Sequence, residues 1–140
     1  LDSNTYKVRA WGITGIALQT TPDKLLKNLK TEGERLLVVT AKGTQKKDDP
    51  VCTGNFVRTV YDDGRSFMDV PIVIYGDING DGVIGAEDIT TLRSHLMHAQ
   101  VLFGAYLSAA DVNHDGEVDG LDLLQLLKYT QGDAKIRQGS

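Results

Sequence analysis

At 140 residues the chain has room for one ordinary domain or two very small ones. Its 41 % hydrophobic content with mixed charges excludes a disordered polymer, and no apolar run approaches the ~20 residues of a membrane helix. The net charge of -4 is unevenly placed: residues 76–122 hold nine acidic residues and one basic residue, Arg93, while the remainder holds ten acidic and fourteen basic. Such an acidic block repels itself unless counterions enter it, and the lack of a basic stripe excludes a nucleic-acid surface. Cys52 is the single cysteine, which excludes an internal disulfide and a Cys-based zinc cluster and leaves a small buried hydrophobe. The abrupt start at Leu1 reads as a piece cut from a longer protein.

Along the first half, Tyr6-Lys7-Val8-Arg9-Ala10-Trp11 alternates with the period of a half-buried strand. Thr20-Thr21-Pro22-Asp23 starts a helix, with a hydroxyl cap, a proline in the first turn and an acid that suits the helix dipole. Leu25, Leu26 and Leu29 fall on one helical face. Leu36–Val39 reads as a buried strand and Lys42 through Pro50 as a polar loop. Phe56–Tyr61 and a strand from Phe67 to about Tyr75 flank Asp62-Asp63-Gly64-Arg65, a hairpin signal. The expected fold class is therefore α+β. Residues 1–75 form a small β-rich domain with one helix, in the order β-α-β-β-β. Residues 76–140 form an all-α calcium-binding module of two loop–helix repeats. Only Gly76 separates Tyr75 from the first acidic loop, so the two parts are expected to move as one body.

The second half is an internal repeat. Asp77-Ile78-Asn79-Gly80-Asp81-Gly82-Val83-Ile84-Gly85-Ala86-Glu87-Asp88 aligns with Asp111-Val112-Asn113-His114-Asp115-Gly116-Glu117-Val118-Asp119-Gly120-Leu121-Asp122 at an offset of 34 residues. Ile89, Leu92 and Leu96 then match Leu123, Leu126 and Thr130, at helical spacing. Calcium takes six to eight oxygen ligands in flexible geometry, which a short loop supplies when every second side chain is a carboxylate or amide. Asp77, Asn79 and Asp81 meet that need in the first loop, and Asp111, Asn113 and Asp115 in the second. Gly82 and Gly116 stand at the sharp sixth position, and Val83 and Glu117 offer backbone carbonyls at the seventh. Asp88 and Asp122 close the loops from the first turn of each helix, and Asp119 is placed to act through a water. Ile84 and Val118 are expected to join the loops in a strand-like contact, and His114 to point to solvent. Two calcium ions are the expected cofactors. The pattern departs from the EF-hand in closing with Asp, and the strand-like, proline-containing stretch before the first loop stands where an EF-hand has a helix.

These two loops, together with the region between them, resemble a dockerin module over residues 76–132, and residues 4–75 resemble more loosely the X module that precedes some dockerins. The resemblance implies a non-catalytic, calcium-dependent plug that binds a cohesin on a scaffold protein of a bacterial cellulosome-type assembly engaged in polysaccharide degradation. It implies an extracellular or bacterial cell-surface location, and a chain that is monomeric when free. By position in the family's pattern, the partner contacts are Ala86, Glu87, Arg93, Ser94 and His98 in the first repeat. Gly120, Leu121, Leu127, Lys128 and Gly132 are their counterparts in the second. Many dockerins carry the same Ser-Thr pair in both repeats and dock in two orientations, whereas Ala86-Glu87 here faces Gly120-Leu121. The leucines at 121, 124 and 127 exceed what the shared core needs, and their first-repeat counterparts Glu87, Thr90 and Arg93 are polar. One docking orientation, anchored on the second helix, is expected.

Rival classes have less support. No nucleophile elbow, phosphate loop or zinc-protease motif is present, so an enzyme is not expected. His95 and His98, three apart on one expected helix, lack a third ligand nearby. The alternative is a carbohydrate-binding or structural spacer module stabilised by calcium. It would need Trp11 and Tyr61 exposed side by side, whereas the strand patterns place most aromatics in the core.

Overall fold

The computed structural model describes residues 1–32 and 34–138. Strands β1 (Lys7–Arg9) and β2 (Gly12–Thr14) form an antiparallel hairpin with Val8 opposite Ile13. The strand expected over Tyr6–Trp11 is thus the shorter β1, and an unexpected second strand, β2, follows it. The chain turns back at Ala10 and Trp11, and three residues are too few to show a period. Gly12 permits the close approach of Val73 to β2, since a Cβ there would lie 2.9 Å from the Val73 side chain. Helix α1 (Pro22–Lys27) begins as its sequence dictates: Thr21 Oγ1 accepts from Lys24 N–H at 3.4 Å, and Pro22 occupies the first turn. The helix ends before Leu29, which is nonetheless buried.

Strands β3 (Arg35–Val39), β4 (Phe56–Val60) and β5 (Phe67–Pro71) form an antiparallel meander. Val38, Val57 and Val70 stand in register across it and point into one core with Ile13, Ile16, Leu25, Ile72 and Ile74. The β4–β5 turn is organised by Asp63, whose Oδ1 accepts from Arg65 N–H at 2.9 Å and Ser66 N–H at 2.7 Å, with Gly64 at φ +69°. The last strand stops at Pro71, short of the expected Tyr75; Ile72 N–H still donates to Asn55 O at 2.8 Å, after which the chain leaves the sheet. Beyond it Ile72 bridges in parallel to Ile13, and Val73 N–H donates to Ile13 O at 3.0 Å, which ties the two sheets together.

Helices α2 (Ala86–Leu96), α3 (Gly104–Ala110) and α4 (Gly120–Thr130) follow. The mixture of helices and sheets makes the chain α+β. An all-α module of two loop–helix repeats is too simple a description of residues 76–140. A third helix, α3, precedes the second loop, and long irregular loops hold the rest. The sequence hides α3 because Gly104-Ala105-Tyr106-Leu107-Ser108-Ala109-Ala110 is short and its cap residue, Phe103, makes no side-chain bond. α2 and α4 pack on each other over Ile78, Leu92, Ala110 and Leu126. Ile84 and Val118 do not pair through the backbone among the described residues; their side chains pack against this same core.

The halves are fastened to each other. Val73 and Tyr75 pack on Ala105 and Ala109 of α3, and Gly76 N–H donates to Ala109 O at 2.9 Å. The segment after α4 returns across the junction. Ile136 packs against both the helical core and the Val73–Tyr75 cluster. Gln138 brackets Tyr75 with two bonds, accepting from its N–H at 2.7 Å and donating to its carbonyl at 2.8 Å, while Gly15 N–H donates to Gln138 O at 3.1 Å. NMR relaxation should therefore give one rotational correlation time for residues 4–75 and 76–132. Ile136→Ala should lower the melting temperature of both halves together; two correlation times in the unmodified chain would sink the rigid junction.

Candidate metal centre and docking face

Each acidic loop folds around its own carboxylates. Asp77 accepts from Asp81 N–H at 3.0 Å and Gly82 N–H at 3.1 Å; Asp111 accepts from Asp115 N–H at 3.2 Å and Gly116 N–H at 3.0 Å. Val83 N–H donates to Asp81 at 3.0 Å, and Glu117 N–H to Asp115 at 2.9 Å. The closing carboxylates pin each loop to the helix that follows. Asp88 accepts from Ile78 N–H at 2.8 Å, Asn79 N–H at 3.1 Å and Gly85 N–H at 2.8 Å. Asp122 accepts from Asn113 N–H at 3.3 Å and Asp119 N–H at 2.9 Å. Glycines 82 and 116, at φ +84° and +89°, make the sharp turn that brings the chain back.

Three carboxylates thereby converge in each loop. Oxygens of Asp77, Asp81 and Asp88 lie within 4.8 Å of one another, and those of Asp111, Asp115 and Asp122 do likewise. Asp77 and Asp122 are fully buried and Asp88 nearly so. Like charges held that close in a buried place are costly unless a cation or a proton joins them. The donor set is oxygen only, from side chains on flexible loops, which suits calcium and offers zinc neither nitrogen nor sulfur. Asn79 and Asn113 stand beside their triads, each amide donating to the neighbouring aspartate at 3.3 Å. Asp119 and Glu117 lie outside the second triad. Asp119 caps α4 by accepting from Leu121 N–H at 3.0 Å, and the Glu117 side chain is exposed. Val83 is likewise exposed.

Burial pushes Asp77 up to about 6, with the Asp88 charge adding to it, and pushes Asp122 up to about 6; Asp88 is raised for the same reason. Asp115, in the open, is held below the usual carboxylate range by the Glu117 N–H. A folded-state value raised above the unfolded one of about 4 adds stability at low pH that is lost as pH rises through about 6. In chelator the protein should therefore melt at a higher temperature at pH 5 than at pH 7. In saturating calcium the order should reverse, since protons compete with the ion. At pH 7, EDTA should lower the far-UV helical signal and the melting temperature. Each ion should add about 2.7 kcal/mol at roughly a hundredfold excess over Kd, and Asp77→Ala and Asp111→Ala should each lower calcium affinity. Melting indifferent to EDTA would refute this.

The outer residues divide unequally. On α2, Ala86, Glu87 and Arg93 are exposed and Ser94 is half-buried; Glu87 accepts from Asn79 Nδ2 at 3.1 Å and so is tied to the loop. His98 is not on the helix face: α2 ends at Leu96, and His98 follows it with φ +58°. His95 meanwhile accepts from Leu102 N–H through Nδ1 at 2.9 Å. The two histidines thus do not share a face. On α4, Leu121 is 60 % and Leu124 47 % exposed, Leu127 is half-buried, and Gly120, Lys128 and Gly132 are exposed. His114 does not point to solvent. At φ +61° its ring turns inward and stacks on Tyr75, with centroids 4.0 Å apart.

The aromatics also correct expectation. Tyr6 and Tyr75 are buried, but Trp11, Tyr61 and Phe67 are exposed. Phe67 is covered by the Arg58 guanidinium, 3.9 Å from its ring centroid. Trp11 and Tyr61 line different concavities, Trp11 facing the second loop and Tyr61 lying by Lys30 and Met68. They form no shared platform. Cys52 is buried, and burial raises its thiol, as befits a packing residue.

Among the described residues no helix is long and apolar enough to cross a membrane. No curated protein matches the chain. Residues 75–130 match the family model described as the dockerin type I domain. That stretch, with its paired acidic loops and the helices that follow them, is a dockerin module, a non-catalytic calcium-dependent docking domain for cohesin modules.

Proposed function

We propose that the chain anchors its parent protein to a cohesin on a scaffold protein, in an extracellular or cell-surface multi-enzyme complex that degrades polysaccharide. Two calcium ions, one per aspartate triad, hold the docking surface in shape, and the free chain is a monomer. Asp77, Asn79, Asp81, Asp88 and the Val83 carbonyl hold the first ion. Asp111, Asn113, Asp115, Asp122 and the Glu117 carbonyl hold the second, with Asp119 acting through a water. Residues 1–75 serve as an X-module-like accessory domain and residues 76–140 as the docking domain.

The observation that carries the docking reading is the exposed leucine pair on α4. Leu121 and Leu124 stand open beside Lys128, Gln125 and Asn113, around a shallow groove of about 360 Å³. The corresponding places on α2 hold Glu87, Thr90 and Arg93, all exposed and polar. Apolar side chains that the fold leaves uncovered favour an interface centre, while exposed charges suit a rim. One orientation follows, with α4 central and Ala86, Glu87, Arg93, Ser94 and His98 peripheral. The carbohydrate-binding alternative lacks an aromatic platform, since Trp11 and Tyr61 face different concavities.

A cohesin panel tested by calorimetry, with calcium and with EDTA, separates docking from a purely structural role. Truncating a buried anchor costs ~2 kcal/mol or more and a rim residue under ~1. Leu124→Ala should therefore weaken binding by roughly thirtyfold, and Arg93→Ala by less than about fivefold. If Arg93→Ala does more harm than Leu124→Ala in folded protein, the face is reversed.

A further inference from the structure

The two loops repeat residue by residue, yet their surroundings differ. The β-rich half grips the first loop at three of its first six positions. Thr53 N–H donates to Asp77 Oδ2 at 3.1 Å. Gln19 Nε2 donates to Gly82 O at 3.3 Å. At Gly80 an added Cβ would lie 2.5 Å from Thr53 O and 3.0 Å from the Tyr106 ring. Thr53 is itself held fast: it is buried, and its hydroxyl accepts from Ile74 N–H and donates to Ile74 O, both at 3.1 Å. Asn55 steadies the same turn, its Oδ1 accepting from Cys52 N–H at 3.0 Å and from Lys46 Nζ at 3.1 Å. The second loop meets that half at His114, whose ring lies on Tyr75 with centroids 4.0 Å apart, and otherwise faces it across an open cleft of about 780 Å³, with Arg9 and Trp11 on one wall and Asp111, His114 and Gly116 on the other.

The fourth loop position shows that the difference reaches the sequence. Gly80 and His114 occupy it in equivalent left-handed conformations, φ +77° and +61°. His114 demonstrates that this backbone accepts a side chain. Glycine is required at 80 because the Thr53 carbonyl and the Tyr106 ring fill the space that a Cβ would take.

We propose that Thr53 is a positioning residue for the first calcium ion, so that the β-rich half and the first site are energetically coupled through Asp77, whereas Thr53 carries no coupling to the second site. The inference rests on the calcium reading of the two triads. A carboxylate already oriented by a fixed N–H, in a loop already held at Gly80 and Gly82, needs less ordering when the ion arrives. Linkage makes the effect reciprocal: whatever the β-rich half contributes to ion binding, the ion returns to the seating of that half on the module.

The test is a calcium titration of the full chain followed by NMR, with the Gly82 and Gly116 amides reporting the two sites and the Thr53 and Asn55 amides reporting the β-rich half. In the unmodified protein, Thr53 and Asn55 should shift with Gly82 and ignore Gly116. Gln19→Ala with Thr53→Ala removes a loop contact and the anchor of Thr53 without altering any triad. It should weaken the first site by about fivefold or more and leave the second within about twofold. Gly80→Ala should do the same. Thr53 amides that follow both sites equally, or variants that weaken both sites alike or neither, overturn the coupling. Should a variant fail to fold, the unmodified titration still decides. If neither Gly82 nor Gly116 responds to calcium, it is the calcium reading that fails, a different result from two responsive sites to which Thr53 is indifferent.

Discussion

Carboxylates that the fold withdraws from water are the constraint around which the module is arranged. Asp77, Asp88 and Asp122 are buried, and each triad gathers three acids at the mouth of a helix. Backbone N–H groups meet part of the cost, and the helix N-terminus adds a favourable dipole. Burial, with like-charge repulsion added to it, raises the acids' affinity for protons and favours a cation among them. The core on either side is small, with Ile78, Leu92, Ala110 and Leu126 at its centre, so helix packing alone gives the acidic loops little support.

Duplication supplies two such loops, and attachment to the β-rich half makes them unequal. One loop lies against the turn at Thr53, and the other meets that half at His114 on Tyr75 and otherwise lies across a cleft from Trp11. The helices are unequal too. α2 presents polar groups where α4 presents leucines, and Glu87 is drawn back to Asn79. A dockerin with matched faces could be used in either direction. Here the pairs Glu87/Leu121 and Arg93/Leu127 break the match, and the breakage lies on the surface, where the duplicated core tolerates it.

The junction follows from the same economy of material. A β-rich half of about seventy residues and a still smaller helical module each bury a limited apolar area alone. Val73 and Tyr75 leave the sheet region and become part of the helical packing, and Ile136 and Gln138 return to cover them. The boundary between the halves is therefore a shared cluster rather than a linker.

Much of this was legible in the residues alone. The fixed offset of 34 exposed the repeat, alternating acids and amides exposed the metal chemistry, and Thr21-Pro22 marked the start of α1. Those signals are local: a ligand loop, a cap or an alternating strand declares itself within a dozen residues. Features that depend on distant neighbours stayed hidden. β2 and α3 are too short for periodicity to mark, and β5 ends at Pro71 although its apolar run continues past it. His114 reads as a surface residue until Tyr75 is brought beneath it. Gly80 reads as loop glycine until Thr53, twenty-seven positions earlier, closes on its α-carbon. The sequence by itself determined that there are two calcium-type loops and helices to follow them, because ligand spacing is a property of the chain. Only the tertiary structure decided which residues of each loop the β-rich half touches and which leucines stay uncovered, because burial and steric contact are properties of what folds back against them.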